Sequence, residues 1–464
     1  MVKRVSLKFS ALFFISGFLW FLAKEIGMNS QQALSIAIFS MSILGTLFFW
    51  DFRLSFAFVG TSVLLVTKTI DLEHLLAFSS LEVILFLVGM MVIIGLLKDS
   101  GIFAWIVSII LRIPHLTAKR FVFMIAILSG LFAGAVDEVT SIIFMVAAVL
   151  EICDYFEVNP VPFIIISVLA TNIGSAGTVL GNPIGILIAS RSGLTFEDFI
   201  IKAFPLVVLC LLVAITMLMF WYRKPIALLD KNIKKFGANE ILTKLISIPV
   251  EKKLKINLVI FLVVLIFISL HHRIEVALGL SPNTVLLIVP LVASGFIMAW
   301  KHRRARKYIE RDVEWWTLLF FLLLFIQAGT LKYTGSTIFI ADKLIKATGE
   351  NLNVLTGIVL WISAIGSSLL DNVVLVAAFI PVVHGLEALN VASHSLWWAL
   401  LFGGCLGGNI TLIGSTANIV ALGILEKERN IRMTFFSWLW VGLSVGLVTT
   451  CIVWAALTLL PYYK

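Results

Sequence analysis

Charged residues are scarce in this chain of 464 residues. They make up 13% of it, against 60% hydrophobic residues and a mean hydropathy of +1.08. A soluble globular domain carries nearer a quarter charged residues, so that class is excluded. Cysteine is rarer still. Cys153, Cys210, Cys405 and Cys451 are scattered and form no CxxC pair, which argues against a disulfide framework or a thiolate metal site and predicts free thiols. The histidines lack metal-ligand spacing, and the adjacent His271 and His272 fall at the end of an apolar run, an interface position. No cluster of nucleophile, base and metal ligands is visible. The chain is therefore not expected to be an enzyme or to carry a resident cofactor. The formal charge of +9 does not point to nucleic acid either, because the basic residues lie in short loops between apolar runs, where they set membrane topology.

What is abundant is apolar sequence in lengths suited to a bilayer. A helix needs roughly 20 residues to cross about 30 Å of hydrocarbon, and runs of that order recur from end to end. Lys3, Arg4 and Lys8 precede the run Phe9–Ala23, which has no small-residue cleavage site after it and reads as a retained first helix. Further spans are predicted near Gln32–Trp50, Ser55–Thr69 and Leu81–Leu97. Ile102–Arg112 is apolar but too short to cross, and reads as a helix lying on the membrane surface. Phe121–Ala135 and Val139–Ile152 are two half-length apolar arms around Asp137-Glu138, the pattern of a re-entrant hairpin. A broken segment at Val161–Ala189 and a span at Ala203–Tyr222 follow. The lysine-rich stretch 223–255 reads as a linker between halves. Spans are expected at Ile256–Leu270 and Thr284–Trp300, then a basic loop Lys301–Lys307 and a span at Trp315–Thr330.

The second half repeats the first. Asp371, within Ser367-Ser-Leu-Leu-Asp-Asn-Val-Val374, matches Asp137. Ser336–Ala347 matches the first surface helix, the break at Gly414 matches that at Gly181, and Phe435–Leu460 matches Ala203–Tyr222. The offset stays near 234 residues throughout, the mark of a duplication. The expected divisions are 1–80, N-terminal helices that are partly scaffold; 81–222, the first repeat core; 223–255, a cytoplasmic basic linker; and 256–464, the second repeat. Placing the N-terminus in the cytoplasm puts Lys119-Arg120, the linker, Lys301–Arg311 and Lys427–Arg432 inside. The opposite loops, around Asp71 and Glu197-Asp198, are acidic. The C-terminus then lies outside. The fold expected is all-α and polytopic, with about eleven transmembrane helices plus two re-entrant hairpins. An odd number of crossings between equivalent points makes the repeats inverted, the architecture of alternating-access carriers.

Both breaks carry polar residues where a membrane helix has no need of them. Thr171-Asn-Ile-Gly-Ser-Ala-Gly-Thr-Val-Leu-Gly-Asn-Pro-Ile-Gly185 contains four glycines and a proline, and Gly408-Asn-Ile-Thr-Leu-Ile-Gly-Ser-Thr-Ala-Asn418 is its partner. Such breaks are tolerated only where protein or a water-filled cavity satisfies the freed backbone. Paired breaks in two halves point to a transporter binding site.

These motifs resemble the ion transporter superfamily, which includes arsenite permeases, NhaD-type sodium–proton antiporters, citrate and dicarboxylate permeases and the P-protein branch. The resemblance covers about Glu82 to the C-terminus and is carried by Asp-Asn-Val in a hairpin, Thr-Asn-Ile-Gly in a broken helix and Gly-Gly-Asn-x-Thr-Leu-Ile-Gly-x-x-Ala-Asn in its repeat. It implies a homodimeric carrier with a scaffold and a moving transport domain holding both hairpins and both breaks. The chain departs from the P-protein and arsenite pattern at Asp137-Glu138, where Asp-Asn is usual. It departs again at Gly181-Asn-Pro-Ile-Gly185, where Gly-Asp-Pro-Pro-Asn is usual.

Candidate substrate or ion ligands are Asp137, Glu138, Thr140, Thr171, Asn172, Ser175, Thr178 and Asn182 in the first repeat. Those in the second are Asp371, Asn372, Asn409, Thr411, Ser415 and Asn418. Asp137, Asn172, Asp371 and Asn409 are the candidates for sodium. Acids at membrane depth usually face a cavity and serve a function, although Asp137 and Asp371 also suit the caps of returning hairpin arms. No Lys or Arg is expected deep in either site. The reading is a carrier of a small ion or solute in the cell membrane, coupled to protons or sodium. Cation–proton or arsenite-like exchange stands ahead of coupled symport of di- or tricarboxylates, and a channel is a distant alternative.

Overall fold

A computed structural model describes residues 2–49, 52–102, 105, 117–236, 252–348 and 351–463. The chain is all-helical, with no strand among the described residues. Eight described helices are long and apolar enough to cross a membrane, or nine if Lys252–Ser269 and His271–Leu278, which meet at 59°, form one span. Arg53–Val66 and Thr284–Trp300, which the sequence reading counts as crossings, have 14 and 17 residues. At about 1.5 Å per residue the first falls short of a 30 Å core, and the second lies at the lower edge of the length a crossing needs.

The chain divides into two compact units, each assembled from distant stretches. The first comprises Met1–Leu85, Glu314–Gly404 and Trp454–Lys464. Its N-terminal helices Val2–Glu25 and Ser30–Phe48 pack together, the second opened by a capping box between Asn29 and Gln32. Trp315–Tyr333 runs through this unit against Ser30–Phe48, Arg53–Val66 and Asn372–Ala388. Its buried Gln327 donates to Ala57 O at 3.0 Å and Thr61 Oγ1 at 3.2 Å. The second hairpin is Leu352–Leu369 and Asn372–Ala388. Its outer arm lies so close to His394–Gly407 that a Cβ on Gly403 would stand 2.6 Å from Leu360 O.

The second unit comprises Phe86–Val313 and Cys405–Val453. The first hairpin, Ala118–Ala135 and Glu138–Tyr155, packs against the broken helix Val161–Ser175. The small residues Gly130 and Gly134 face Ala170 and Gly174, and a Cβ on Gly174 would lie 2.2 Å from Gly130 O. Membrane helices associate through such small-residue stripes because lipid supplies no hydrophobic drive to bring them together.

Three sequence expectations change. The hairpin arms are not half-length: each arm of the first hairpin has 18 residues, because the helix continues past the apolar run through Lys119-Arg120 at one end and Asp154-Tyr155 at the other. Hydropathy marks where a helix meets lipid, not where its backbone hydrogen bonds stop. The basic loop after Trp300 is helical, His302–Lys307 followed by a π turn at Tyr308–Asp312, and is tied down as Arg304 and Lys307 each reach Asp99 at 2.8 Å. Arg223–Phe236 of the linker is an amphipathic helix with Ile226, Leu229 and Ile233 buried, while 237–251 lies outside the described residues. So does the surface helix expected at Ile102–Arg112, apart from Ile102 and Trp105. Its counterpart, Ser336–Thr348, is a helix packed on the second hairpin's return arm.

Candidate functional site

Both breaks belong to the second unit. The first interrupts helix between Val161–Ser175 and Pro183–Ser192, the second between His394–Gly407 and Thr416–Arg429. The first chain folds back on itself so tightly that a Cβ on Gly181 would stand 2.1 Å from Ser175 O. The helix restarts at Pro183, whose missing N–H costs nothing at a first helical turn. Asn182 caps it, accepting from Gly185 N at 3.0 Å. Ser415 caps the second restart, accepting from Ala417 N at 3.1 Å.

The two breaks are joined through a single side chain. Asn172 Nδ2 donates to Asn409 Oδ1 at 2.9 Å and to Asn418 Oδ1 at 2.8 Å, while its Oδ1 accepts from the Ser415 hydroxyl at 3.1 Å. Asn418 Nδ2 in turn donates to Gly408 O and Thr411 O, carbonyls freed by the second break. Trp438 Nε1 donates to Asn409 O at 3.0 Å. Every one of these asparagines is buried. Burying an amide without partners costs about 1–3 kcal/mol, so the knot is both what the breaks require and what fixes one to the other.

On the flank, Asn182 Nδ2 donates to Ser175 Oγ at 2.9 Å and Cys405 Sγ at 3.0 Å. Cys405 also interacts electrostatically with Glu138, which is 3% exposed at the start of the first hairpin's return arm. That arm packs on Thr416–Arg429, and their far ends are joined by an ion pair between Asp154 and Arg429. The Thr178 hydroxyl donates to Gly134 O, tying the break to the hairpin tip. Asp137 caps the return arm, accepting from Thr140 N at 2.7 Å. The Thr171 hydroxyl, adjacent to Asn172, is buried with no hydrogen-bond partner among the described residues.

Glu138, Asn172, Ser175, Asn182, Asn409, Ser415 and Asn418 therefore share one connected neighbourhood, bordered by Asp137, Thr140, Thr171, Thr178 and Thr411. Asp371 and Asn372 belong to the first unit, where Asp371 caps Asn372–Ala388 by accepting from Val373 N at 3.0 Å. One expectation fails there. Arg53 is 6% exposed, lies over the Phe320 ring, and interacts electrostatically with Asp371 and Glu314. Its place between two spans reads as a loop cation, and nothing in the local pattern marks it as buried. Cys405 is the other residue the motifs do not single out, because a lone thiol in an apolar run carries no signal of its own.

The citrate transporter family model matches residues 46–403. An uncharacterized transporter of Mycobacterium tuberculosis is 31% identical over 350 residues, covering 75% of this chain and 79% of its own length. The human P protein is 26% identical over 426 residues, covering 77% of this chain, which matches about half (51%) of that protein. Among solved structures, the YdaH transporter of Alcanivorax borkumensis aligns with a TM-score of 0.56 at 16% identity, over 83% of this chain and 86% of that one, a likeness of fold.

Proposed function

Because the chain belongs to the citrate transporter family, we propose that it is a secondary active carrier that moves a small ion or solute by alternating access, coupled to protons or sodium. Cation–proton or arsenite-like exchange is the preferred chemistry. The observation that supports it most is the asymmetry of charge around the knotted breaks. Glu138 is buried beside them, whereas among the described residues of the second unit no Lys or Arg is buried. A buried carboxylate with neutral amide and hydroxyl neighbours suits a cation or a proton, and a multiply charged anion would be repelled unless that acid were neutralised. Asp137, Asn172 and Asn409 are the proposed sodium ligands of the second unit, and Asp371, beside Arg53, is a separate proposed one in the first. The unpartnered Thr171 hydroxyl is a further oxygen available to a solute.

Coupled symport of a di- or tricarboxylate is the second reading. It is favoured by the family's description and by the helix N-termini capped at Asn182 and Ser415, whose partial positive charge can face an anion. In either case the carrier is proposed to act as a homodimer in the cell membrane, with the N-terminus cytoplasmic and the C-terminus outside. Transport domains would move against a static scaffold.

Proteoliposomes carrying the purified protein distinguish the two readings. Under an imposed pH gradient, exchange predicts sodium, lithium or arsenite flux with counter-movement of protons, and Glu138→Gln should remove its pH dependence while the protein still inserts. Sodium-driven citrate or dicarboxylate uptake without cation–proton exchange would overturn the preferred reading and establish the second.

A further inference from the structure

The amphipathic helix Arg223–Phe236 is a staple on the first hairpin. Asp230 accepts from Ala118 N at 3.1 Å, at the start of the outer arm, and Asn232 Nδ2 donates to Phe156 O at 2.8 Å, at the end of the return arm. The helix thus holds both feet of the element whose tip carries Asp137 and Glu138.

Where this staple meets the end of the long helix Phe196–Trp221, a pocket of about 640 Å³ opens. One wall is apolar, made by Met219, Phe220 and Ile226, and its rim carries Lys119 and Arg223. Phe220 is 71% exposed at the very end of a 26-residue apolar helix, where hydrocarbon gives way to headgroups. The Arg223 guanidinium lies 5.4 Å from the Phe220 ring centroid. Among the described residues neither Lys119 nor Arg223 has a carboxylate within ion-pair distance; Asp230, the one acid in the lining, is bound by Lys234 at 2.8 Å and attracts Lys119 only at longer range. Two cations without a close carboxylate, above an apolar wall at the membrane interface, match an amphiphile that has an anionic head and a hydrocarbon tail.

We propose that this elbow is a binding site for an anionic phospholipid, its phosphate held between Lys119 and Arg223 and one acyl chain lying along Met219 and Phe220. Because Lys119 is in the first turn of the hairpin's outer arm and Arg223 opens the staple, the bound lipid bridges the two and steadies the hairpin's feet. The two side chains are each worth about 1 kcal/mol against an anionic surface, or roughly fivefold in affinity.

The test uses the full chain in nanodiscs of phosphatidylcholine alone or with phosphatidylglycerol, reading retained lipid by native mass spectrometry and thermal stability in parallel. Phosphatidylglycerol should be retained by the wild type and should raise its melting temperature. Lys119→Gln with Arg223→Gln should weaken retention about thirtyfold and lose that increment, while melting as the wild type does in phosphatidylcholine alone. The charge-matched pair Lys224→Gln and Lys231→Gln, outside the pocket, should retain the lipid. Equal loss in both pairs would mean diffuse surface attraction and overturn the site. Displacement of the lipid by millimolar inorganic phosphate would also overturn it, since a small anion would then suffice. Neither readout depends on the transported solute, so this result stands or falls apart from the transport reading.

Discussion

At the scale of single residues, Asn172 is what joins the two breaks of the second unit. An amide is the only uncharged side chain that offers two donors and an acceptor together, and here it uses both capacities on three partners from the opposite repeat. Asn172→Leu keeps the volume but orphans Asn409 Oδ1, Asn418 Oδ1 and the Ser415 hydroxyl. Each orphaned group costs about 1–3 kcal/mol in a buried site, so thermal unfolding of the purified variant should fall well below wild type and flux should be lost. Asn172→Asp should be worse, because it places a second carboxylate near Glu138 and removes both donors. A variant that melts normally and transports normally would show that the knot is dispensable. Glu138 is proposed to play a different part. Its substitution by Gln should leave melting nearly unchanged and alter only the pH dependence of transport, so the two residues separate architecture from coupling.

At the scale of elements, the hairpin and the broken helix of each repeat are set by backbone approach. Gly174→Ala would push a Cβ to 2.2 Å from Gly130 O, which cannot be relieved by a side-chain rotation. Forcing the two helices apart should cost at least the 1–3 kcal/mol typical of overpacking, read as lower yield and melting temperature. Gly423→Ala, in Thr416–Arg429 with nothing within 4 Å of the added Cβ, is the matched control and should be neutral or stabilising by up to about 1 kcal/mol through helix propensity. The staple helix adds a pH-dependent contact. The Asp230 carboxyl is held below the usual carboxylate range, first by its bond with Lys234 and then by Ala118 N–H. A depressed acid contributes its stabilisation above the ordinary range near pH 4 and loses it as pH falls further. Protection factors in 223–236, the intrinsic exchange rate at each pH divided by the observed one, should therefore be unchanged from pH 8 to 5 and fall below about pH 4. Asp230→Asn should flatten that fall.

At the scale of the whole molecule, the duplication makes a topological prediction. Inverted repeats require the feet of the two hairpins to open to opposite sides of the membrane. Single cysteines at Thr117 and Asn351, each introduced after replacing the four native cysteines, should be labelled by a membrane-impermeant maleimide from opposite faces in oriented vesicles. Labelling of both from one face would remove the basis for inverted repeats and with it the alternating-access reading. The two compact units each draw on both halves of the sequence, so the duplication in the chain is not the division in space. The second break's residues sit with the first repeat's hairpin, which is why one amide can hold both breaks.

The sequence alone determined the membrane class, the order of the helices and the position of each break. These depend on local quantities: run length against bilayer thickness, glycine and proline inside apolar segments, and a motif repeated at fixed offset. Asp137 and Asp371 were legible as caps, and Asn182 and Ser415 fall where helix must restart. Four features depended on the tertiary structure. The arms of the first hairpin run through their charged ends, because backbone hydrogen bonding continues where apolarity stops. Arg53 is buried near Asp371, and Cys405 is the partner of Asn182, contacts across 318 and 223 positions that leave no local trace. The pairing of Asn172 with Asn409 and Asn418 spans 237 and 246 positions. The motifs announce that these amides need partners, because an amide in an apolar helix must be satisfied. Which amide satisfies which depends on how the helices pack, and that is a property of the folded chain.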